Sequence, residues 1–268
     1  MRWLSTVAVV VLLSTAGCNA FVGADTADRG TVTPAPVPTA AEPATPATPA
    51  TPDPPPGVTT ERLENVALLS AAHRQALNGT SYTLNERYNE FNTGRNDTSS
   101  VRRTETVAVA SPTRYRDEMV RMTTGANGTV ERYEQSTYAD GTNWYERRDN
   151  GTVERQRGRV RFGGDKYAYR TAFYLNRYAV VNQSYTTVVH RDGSRLYRIR
   201  GSGGEIPTTE RVGEFRIELL VEPDGLVRRF EVQYRSADRS VEYSFWYEDI
   251  GETTAERPAW LNESTPAN

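Results

Sequence analysis

The chain has 268 residues with 32 basic and 34 acidic side chains, which gives a formal net charge of −2 at pH 7. This near balance provides no basic field for a polyanion, so we expect no nucleic-acid partner. One cysteine and two histidines exclude a Cys/His catalytic pair, a zinc cluster and a histidine-rich metal site on inventory alone. The sequence therefore predicts a protein that is not an enzyme and that needs no metal or cofactor.

Residues 1–17 have the three parts of a secretory signal peptide. Arg2 supplies the basic start, residues 3–13 form an apolar core, and small residues precede Cys18. That core is shorter than the roughly 20 apolar residues that a helix needs to cross a bilayer. We therefore expect a leader that is removed rather than a membrane helix.

Cys18, the only cysteine, is the strongest candidate site in the sequence. A lone thiol in an exported protein is free, intermolecular or modified. Leu13-Ser14-Thr15-Ala16-Gly17-Cys18 resembles the lipobox of bacterial and archaeal lipoproteins, although Thr15 stands where that motif prefers Leu or Val. This resemblance implies a lipid on Cys18 and a location on the outer side of the cell membrane; two chains on one cysteine give stable anchoring. An ordinary signal peptide with an incidental cysteine is the alternative.

Residues 18–57 are predicted to be a disordered tether, because they are rich in Pro, Thr and Ala and contain little that could form a core. Such segments act as semi-rigid spacers of up to ~3.1 Å per residue. Residues 58–268 have the size of one domain and contain no second linker. The tether is therefore expected to hold this single domain away from the membrane.

Two helices are predicted in the domain. Apolar residues at 3,4 spacing favour a long helix over residues 60–77, capped by Thr59 or Thr60 and ended by Asn78-Gly79. His73 lies on this helix and is expected to be a partly buried or surface residue. A second, short helix is expected over residues 169–178.

Strands are predicted for most of the remaining domain, because apolar and β-branched residues alternate with charges. Acidic residues along these strands are expected on a solvated face. Glu222-Pro223-Asp224-Gly225 and Asp192-Gly193 supply turn chemistry. The predicted strands cover residues 82–91, 101–109, 114–122, 130–138, 143–148, 153–157, 185–190, 196–200, 214–221, 226–234 and 241–247.

The predicted fold is therefore α+β, with one strongly curved antiparallel sheet. Two helices cannot cover both faces of so long a sheet, so we expect the sheet to curl into a half-barrel with both helices on its concave face. The order of lipobox, tether, helix and meander resembles haloarchaeal surface lipoproteins of unassigned function. The segments that carry this resemblance are residues 73–78, 81–83, 247–251 and 258–261.

The same order of helix and curved sheet is more distantly similar to LolA/LolB-like and LppX-like lipoprotein carriers, whose half-barrel encloses an apolar cavity for lipid. The resemblance implies only one functional residue, Cys18 as the lipid site. The chain contains 15 tyrosines, and tyrosines on one sheet face either fill a core or line a cavity. We therefore expect a binding module for lipid or another apolar ligand.

The alternative function is a glycosylated cell-surface protein that interacts with partners and has no ligand cavity. Asn-x-Ser/Thr sequons, several at predicted turns, favour it. His190, beside a turn, is expected at the surface, and Gly201-Ser202-Gly203-Gly204 is expected to be a loop rather than a phosphate cradle. The candidate glycosylation sites are Asn78, Asn96, Asn127, Asn150, Asn182 and Asn262.

Overall fold

One long antiparallel sheet dominates the fold. The computed structural model describes residues 53–94, 97, 99–157, 165–191, 193–204, 212–236 and 238–263. The predicted leader, Cys18, nearly all of the predicted tether, Asn96 and Asp192 lie outside these ranges. Within the ranges, the elements in chain order are α1 (Val66–Ala76), β1 (Tyr82–Asn92), β2 (Ser100–Ser111), β3 (Arg114–Thr124), β4 (Val130–Asp140), β5 (Asn143–Arg148), β6 (Val153–Arg157), α2 (Lys166–Tyr178), β7 (Gln183–Arg191), β8 (Ser194–Ser202), β9 (Val212–Val221), β10 (Val227–Ser236), β11 (Arg239–Glu248) and α3 (Ala259–Glu263).

The sheet is built from two meanders that meet at its centre. Strands β1 to β6 run outward in sequence to one edge, and β7 to β11 run inward from the other edge until β11 pairs with β1. Every pairing is antiparallel, and the sheet is open and curled, with β6 and β7 as its edges. The predicted antiparallel sheet and its strand order along the chain are confirmed.

Alternating side chains give the sheet one face that is covered by α1 and α2, which we call the helix face. Leu84 on β1 stands opposite Tyr247 on β11, and Tyr88 stands opposite Tyr243, so these residues share that face. The core lies between this face and the helices. Its buried members include Leu69, Leu77, Tyr82, Leu84, Val107, Val109, Leu175, Ile217, Leu219, Phe230, Val232, Phe245 and Tyr247.

Helix α1 begins later than the sequence pattern predicted. Asn65 is its N-cap, and the Asn65 side chain accepts a hydrogen bond from the backbone N–H of Leu68 at 2.9 Å. Thr59 instead closes a local turn by accepting from the N–H of Arg62 at 3.0 Å. Both residues suit a helix cap, but backbone bonds from Glu64 and Asn65 to the carbonyl of Gly57 hold the preceding segment as a loop. The expected long helix is therefore 11 residues long.

Helix α2 is longer than predicted and begins three residues earlier. The Asp165 carboxylate caps it by accepting hydrogen bonds from the N–H groups of Tyr167 and Ala168, at 2.9 and 3.1 Å. Leu175 is fully buried, as its helical spacing predicted. With 13 residues α2 is the longer of the two helices, so the expectation of one long and one short helix is wrong in its order.

Helix α3 was not predicted. It has five residues, which is too short to show a helical repeat in the sequence. Trp260 and Leu261 of this helix pack with Tyr138 and Tyr145. These tyrosines lie on the side of β4 and β5 away from the helix face, so α3 covers part of the opposite face.

His73 is fully buried, which corrects the expectation of a partly buried or surface residue. Its Nδ1 accepts a hydrogen bond from the backbone N–H of Val227 at 3.2 Å, which leaves the ring proton on Nε2, 3.0 Å from the Thr171 hydroxyl. Burial lowers the pKa of His73 to about 3. The ring therefore links α1 to α2 and to β10 as a neutral group.

Candidate binding cleft

Two glutamates face each other in the core of the helix face. Glu86 on β1 is directly opposite Glu105 on β2, and their exposed fractions are 2% and 6%. Like charges opposite each other on neighbouring strands are destabilising, and burial disfavours a charged carboxylate. Burial is also the main cause that raises the pKa of Glu86. The pair therefore needs a cation.

Arg170 of α2 supplies this cation. One guanidinium nitrogen bonds to Glu86, and the other donates to Glu105 at 2.7 Å. The Tyr243 hydroxyl donates to the second oxygen of Glu86. Helix α2 is thereby joined through one side chain to two neighbouring strands. Guanidinium suits this position, because it presents several donors in a fixed plane.

Asp117 on β3 forms a second polar contact under α2. Tyr167 donates a hydrogen bond to its carboxylate at 2.9 Å. Lys166, the only lysine of the chain, places its ammonium over the rings of Tyr115 and Tyr167 at 4.3 and 4.4 Å. Burial, and then the charge of Glu105, raises the pKa of Asp117 to about 7. The Asp117 carboxyl group therefore changes charge near neutral pH.

Replacing Asp117 with asparagine is expected to flatten the dependence of stability on pH. Because folding raises the Asp117 pKa, the native state binds more protons than the unfolded state between about pH 4 and 7, and stability falls as pH rises through this window. We expect the free energy of unfolding to fall by about 2 kcal/mol between pH 5 and 8. This value allows for solvent screening, because Asp117 is partly exposed. The fall should be absent in Asp117→Asn. Urea unfolding at the two pH values measures it. Equal losses in both proteins would contradict the assignment.

A cleft of about 380 Å³ lies next to this polar network, between α2 and strands β1, β2, β3 and β11. Its aromatic part is continuous: Tyr174 meets Tyr243 at 4.8 Å between ring centroids, and Tyr178 stacks on Tyr174 at 6.1 Å. The volume lies within the range of about 300–1,000 Å³ that is typical of ligand pockets. The lining residues are Tyr88, Glu90, Val101, Arg103, Arg121, Tyr174, Tyr178 and Tyr243.

Two arginines stand side by side in the polar part of the cleft. Arg103 on β2 is directly opposite Arg121 on β3. Among the described residues, no carboxylate lies within ion-pair distance of either guanidinium. The Nε of Arg103 is buried without a hydrogen-bond partner in the same part of the chain. Burial lowers the Arg103 pKa, but the charges of Glu105 and Glu86 and a hydrogen bond with Tyr174 outweigh it, so the pKa is raised.

A larger groove, of about 940 Å³, lies on the opposite face over β8, β9 and β10. It is open, and three of its arginines have carboxylate partners: Arg198 and Arg200 pair with Glu218 at 3.5 and 2.8 Å, and Arg229 pairs with Glu231 at 3.4 Å. Such exposed pairs contribute little to stability or binding. This groove is the solvated charged face that the alternation predicted, so the smaller cleft is the better candidate site.

Five of the six predicted glycosylation sites lie within the described residues. Asn127 and Asn150 lie in turns, where their side chains accept from the N–H of Thr129 and Thr152 at 3.0 and 2.9 Å. His190 is exposed, as expected. The exposed sequon asparagines are Asn78, Asn127, Asn150, Asn182 and Asn262; whether they carry sugar stays a prediction, as does the lipid on Cys18.

Sequence reasoning missed the polar network and the arginine pair. Acidic residues on strands were assigned to a solvated face, yet Glu86 shares its phase with Tyr82 and Leu84, and both of those are buried. The sequence therefore contained a signal: Glu86 is a charged residue at a position where the alternation of the strand places apolar residues. Arg170 gave no comparable signal, because its partners lie more than 60 positions away in the chain.

No group of three or more His, Cys, Asp or Glu side chains among the described residues is arranged to hold a metal ion. No helix in the same part of the chain is both long and apolar enough to span a membrane.

The fold and the cleft define a protein with an open antiparallel sheet and a tyrosine-lined, ligand-sized cleft beneath α2. The chain belongs to a family of unknown function, DUF7537, whose model matches residues 3–264. None of the curated proteins matches the sequence.

Solved structures with similarity to the chain share little sequence with it. LprF from Mycobacterium bovis is 13% identical, with a TM-score of 0.36 over 72% of this chain and 97% of that chain. A DUF1329 family protein from Desulfovibrio piger is 9% identical, with a TM-score of 0.25 over 73% and 95%. A putative outer membrane lipoprotein-sorting protein domain from Vibrio parahaemolyticus is also 9% identical, with a TM-score of 0.23 over 72% and 95%.

Proposed function

We propose that this protein is a non-enzymatic binding module for a lipid or another amphiphilic ligand, held at the outer side of the cell membrane by a lipid on Cys18. The observation that carries the proposal is the cleft under α2, where Tyr174, Tyr178 and Tyr243 form a continuous aromatic wall. Tyrosine offers a broad apolar ring with a polar tip, which suits an amphiphile. The cleft volume suits a single chain.

The test of the cleft is a binding titration with lauroylglycerol, a neutral amphiphile with one acyl chain. The full chain carrying Cys18→Ser is used, so that no attached lipid competes. Tyr178→Ala is expected to weaken binding about tenfold, because it removes a large apolar contact. Tyr185→Ala is the matched control, since Tyr185 is an exposed tyrosine on β7. Equal affinity in all three proteins, or binding of neither lauroylglycerol nor dodecanoate, would refute the proposal.

The test of the anchor is the distribution of the protein between membrane and medium. With Cys18→Ser, the chain lacks the only thiol that could carry a lipid, so it should move from the membrane fraction to the medium. The natural protein should also show a mass larger than that of its polypeptide by one lipid group. Retention of Cys18→Ser in the membrane would contradict the anchor.

A glycosylated surface protein that binds partners is the second candidate. It is favoured by one observation: the five sequon asparagines within the described residues are all exposed. Intact-mass measurement before and after chemical deglycosylation tests it. A mass equal to that of the polypeptide and its anchor would remove this candidate.

A further inference from the structure

We propose that the cleft selects a ligand with an acidic group and that Arg103 and Arg121 bind this group. The inference rests on the proposed function, because it specifies the chemistry of the ligand in the same cleft. It starts from the direct opposition of Arg103 and Arg121 on neighbouring strands. Residues in this relation have Cβ atoms about 4.5–5.5 Å apart, and like charges there repel each other.

The same helix face contains a second like-charged pair, which shows how such repulsion is relieved. Glu86 and Glu105 are also directly opposite each other, and Arg170 bonds to both. The arginine pair has no corresponding anion among the described residues. An acidic ligand group that bonds to both guanidiniums would relieve their repulsion in the same way that Arg170 relieves the repulsion between the two glutamates.

The carboxylates of the neighbouring polar network already have cations beside them. Glu86 and Glu105 are balanced by Arg170 and by the field of Arg103. Asp117 lies in the field of Arg170 and Lys166. The carboxylates of this network therefore have cations other than Arg121 beside them.

Glu90 is the one carboxylate that lines the cleft itself. It already has two partners: it accepts a hydrogen bond from the Tyr88 hydroxyl, and it forms an ion pair with Arg239 at 3.3 Å. Arg121, like Arg103, therefore lines the cleft without an ion pair to a carboxylate of the described residues. Guanidinium groups bind carboxylate and phosphate with paired, charge-assisted hydrogen bonds.

The position of the arginines also fits an amphiphile. Arg103 lies opposite Tyr88 on β1, and Tyr88 lies opposite Tyr243 on β11. A ligand bound along this row has its acidic group at the arginines and its apolar part against Tyr243 and Tyr174. The cleft therefore offers a polar end and an aromatic end within one volume.

The experiment compares two amphiphiles that share a twelve-carbon chain, dodecanoate and neutral lauroylglycerol, below the concentrations at which they form micelles. In the full chain carrying Cys18→Ser, dodecanoate is expected to bind at least about tenfold more tightly than lauroylglycerol, because its carboxylate forms charge-assisted hydrogen bonds with the arginines. Arg121→Met and Arg103→Met should each lower the dodecanoate affinity about tenfold, and thereby remove most of the preference for dodecanoate over lauroylglycerol.

Arg102→Met is the matched control, because Arg102 neighbours Arg103 on β2, is exposed and points to the opposite face. It should change neither affinity. Equal affinity for the two amphiphiles in the unsubstituted protein would overturn the acidic-group inference and leave the proposed function standing. Binding of neither would overturn both. Arg121 is exposed, so Arg121→Met tests the inference even if Arg103→Met does not fold.

Discussion

Replacing Arg170 with methionine is expected to destabilise the fold by about 3–5 kcal/mol at neutral pH. Methionine keeps much of the apolar stem, so the substitution removes mainly the charge and its two bonds to Glu86 and Glu105. The two carboxylates would then face each other in the core without a cation. Denaturant unfolding with far-UV circular dichroism measures the loss.

Two companion proteins separate this effect from a general loss of an arginine. Arg132→Met breaks an ion pair with Glu134 in which both side chains are more than half exposed, and such pairs contribute about 0–1 kcal/mol. Arg170→Met combined with Glu86→Gln and Glu105→Gln should recover much of the loss, because no buried charge is then left unpaired. If Arg170→Met costs no more than Arg132→Met, the network does not stabilise α2.

The sheet was largely predictable from the sequence, because its signal is local. Alternation in β9 predicts that Phe215, Ile217 and Leu219 share a face, and all three are buried. The turn after β9 is also encoded locally: Gly225 adopts a φ of +95°, which favours glycine. The pairing of strands that are neighbours in sequence follows from these turns, whereas the central pairing of β1 with β11 joins distant parts of the chain and has no local signal.

The helix boundaries were less predictable, because several residues compete as caps. Thr59 and Asn65 have equivalent capping chemistry, and the choice depends on the close approach of Gly57 to the start of α1. A Cβ atom at Gly57 would lie 2.2 Å from the carbonyl oxygen of Asn65. That contact involves two segments packed in three dimensions, and no window of sequence contains a signal for it.

The candidate cleft was only partly predictable. The sequence suggested that tyrosines on one face fill a core or line a cavity, and both occur: Tyr82 and Tyr115 are buried in the core, whereas Tyr174 and Tyr178 line the cleft. Which tyrosine does which depends on where α2 crosses the sheet. The pairing of Arg103 with Arg121 depends on the register of β2 and β3, which alternation alone does not fix.

Replacing His73 with asparagine is expected to make the protein less sensitive to acid. Burial lowers the His73 pKa to about 3, whereas an unfolded chain titrates histidine near 6.5. Between these values the unfolded state binds the proton and the native state does not, so stability present above pH 6.5 is lost as pH falls. The difference in pKa between the two states lowers the free energy of unfolding by about 3 kcal/mol from pH 7 to pH 4.

Asparagine keeps an acceptor for the N–H of Val227 but cannot take up a proton. At pH 7, His73→Asn should lower the free energy of unfolding by about 1–2 kcal/mol. The substitution removes ring contacts with Phe245 and Tyr247, whose centroids lie 5.9 and 5.5 Å from that of His73. At pH 4 the order should reverse, and the substituted protein should be the more stable one. Urea unfolding at both pH values measures the reversal. Acidic groups that titrate equally in the two proteins do not affect this comparison, because their contributions cancel.

His190→Asn is the matched control, because His190 is exposed on β7. It should change the free energy of unfolding by less than about 0.5 kcal/mol at either pH. If His73→Asn and the unsubstituted protein lose equal stability between pH 7 and pH 4, then the native state accepts a proton on His73. In that case the ring is not held neutral by its burial between α1, α2 and β10, and the acid sensitivity of the protein must come from its carboxylates.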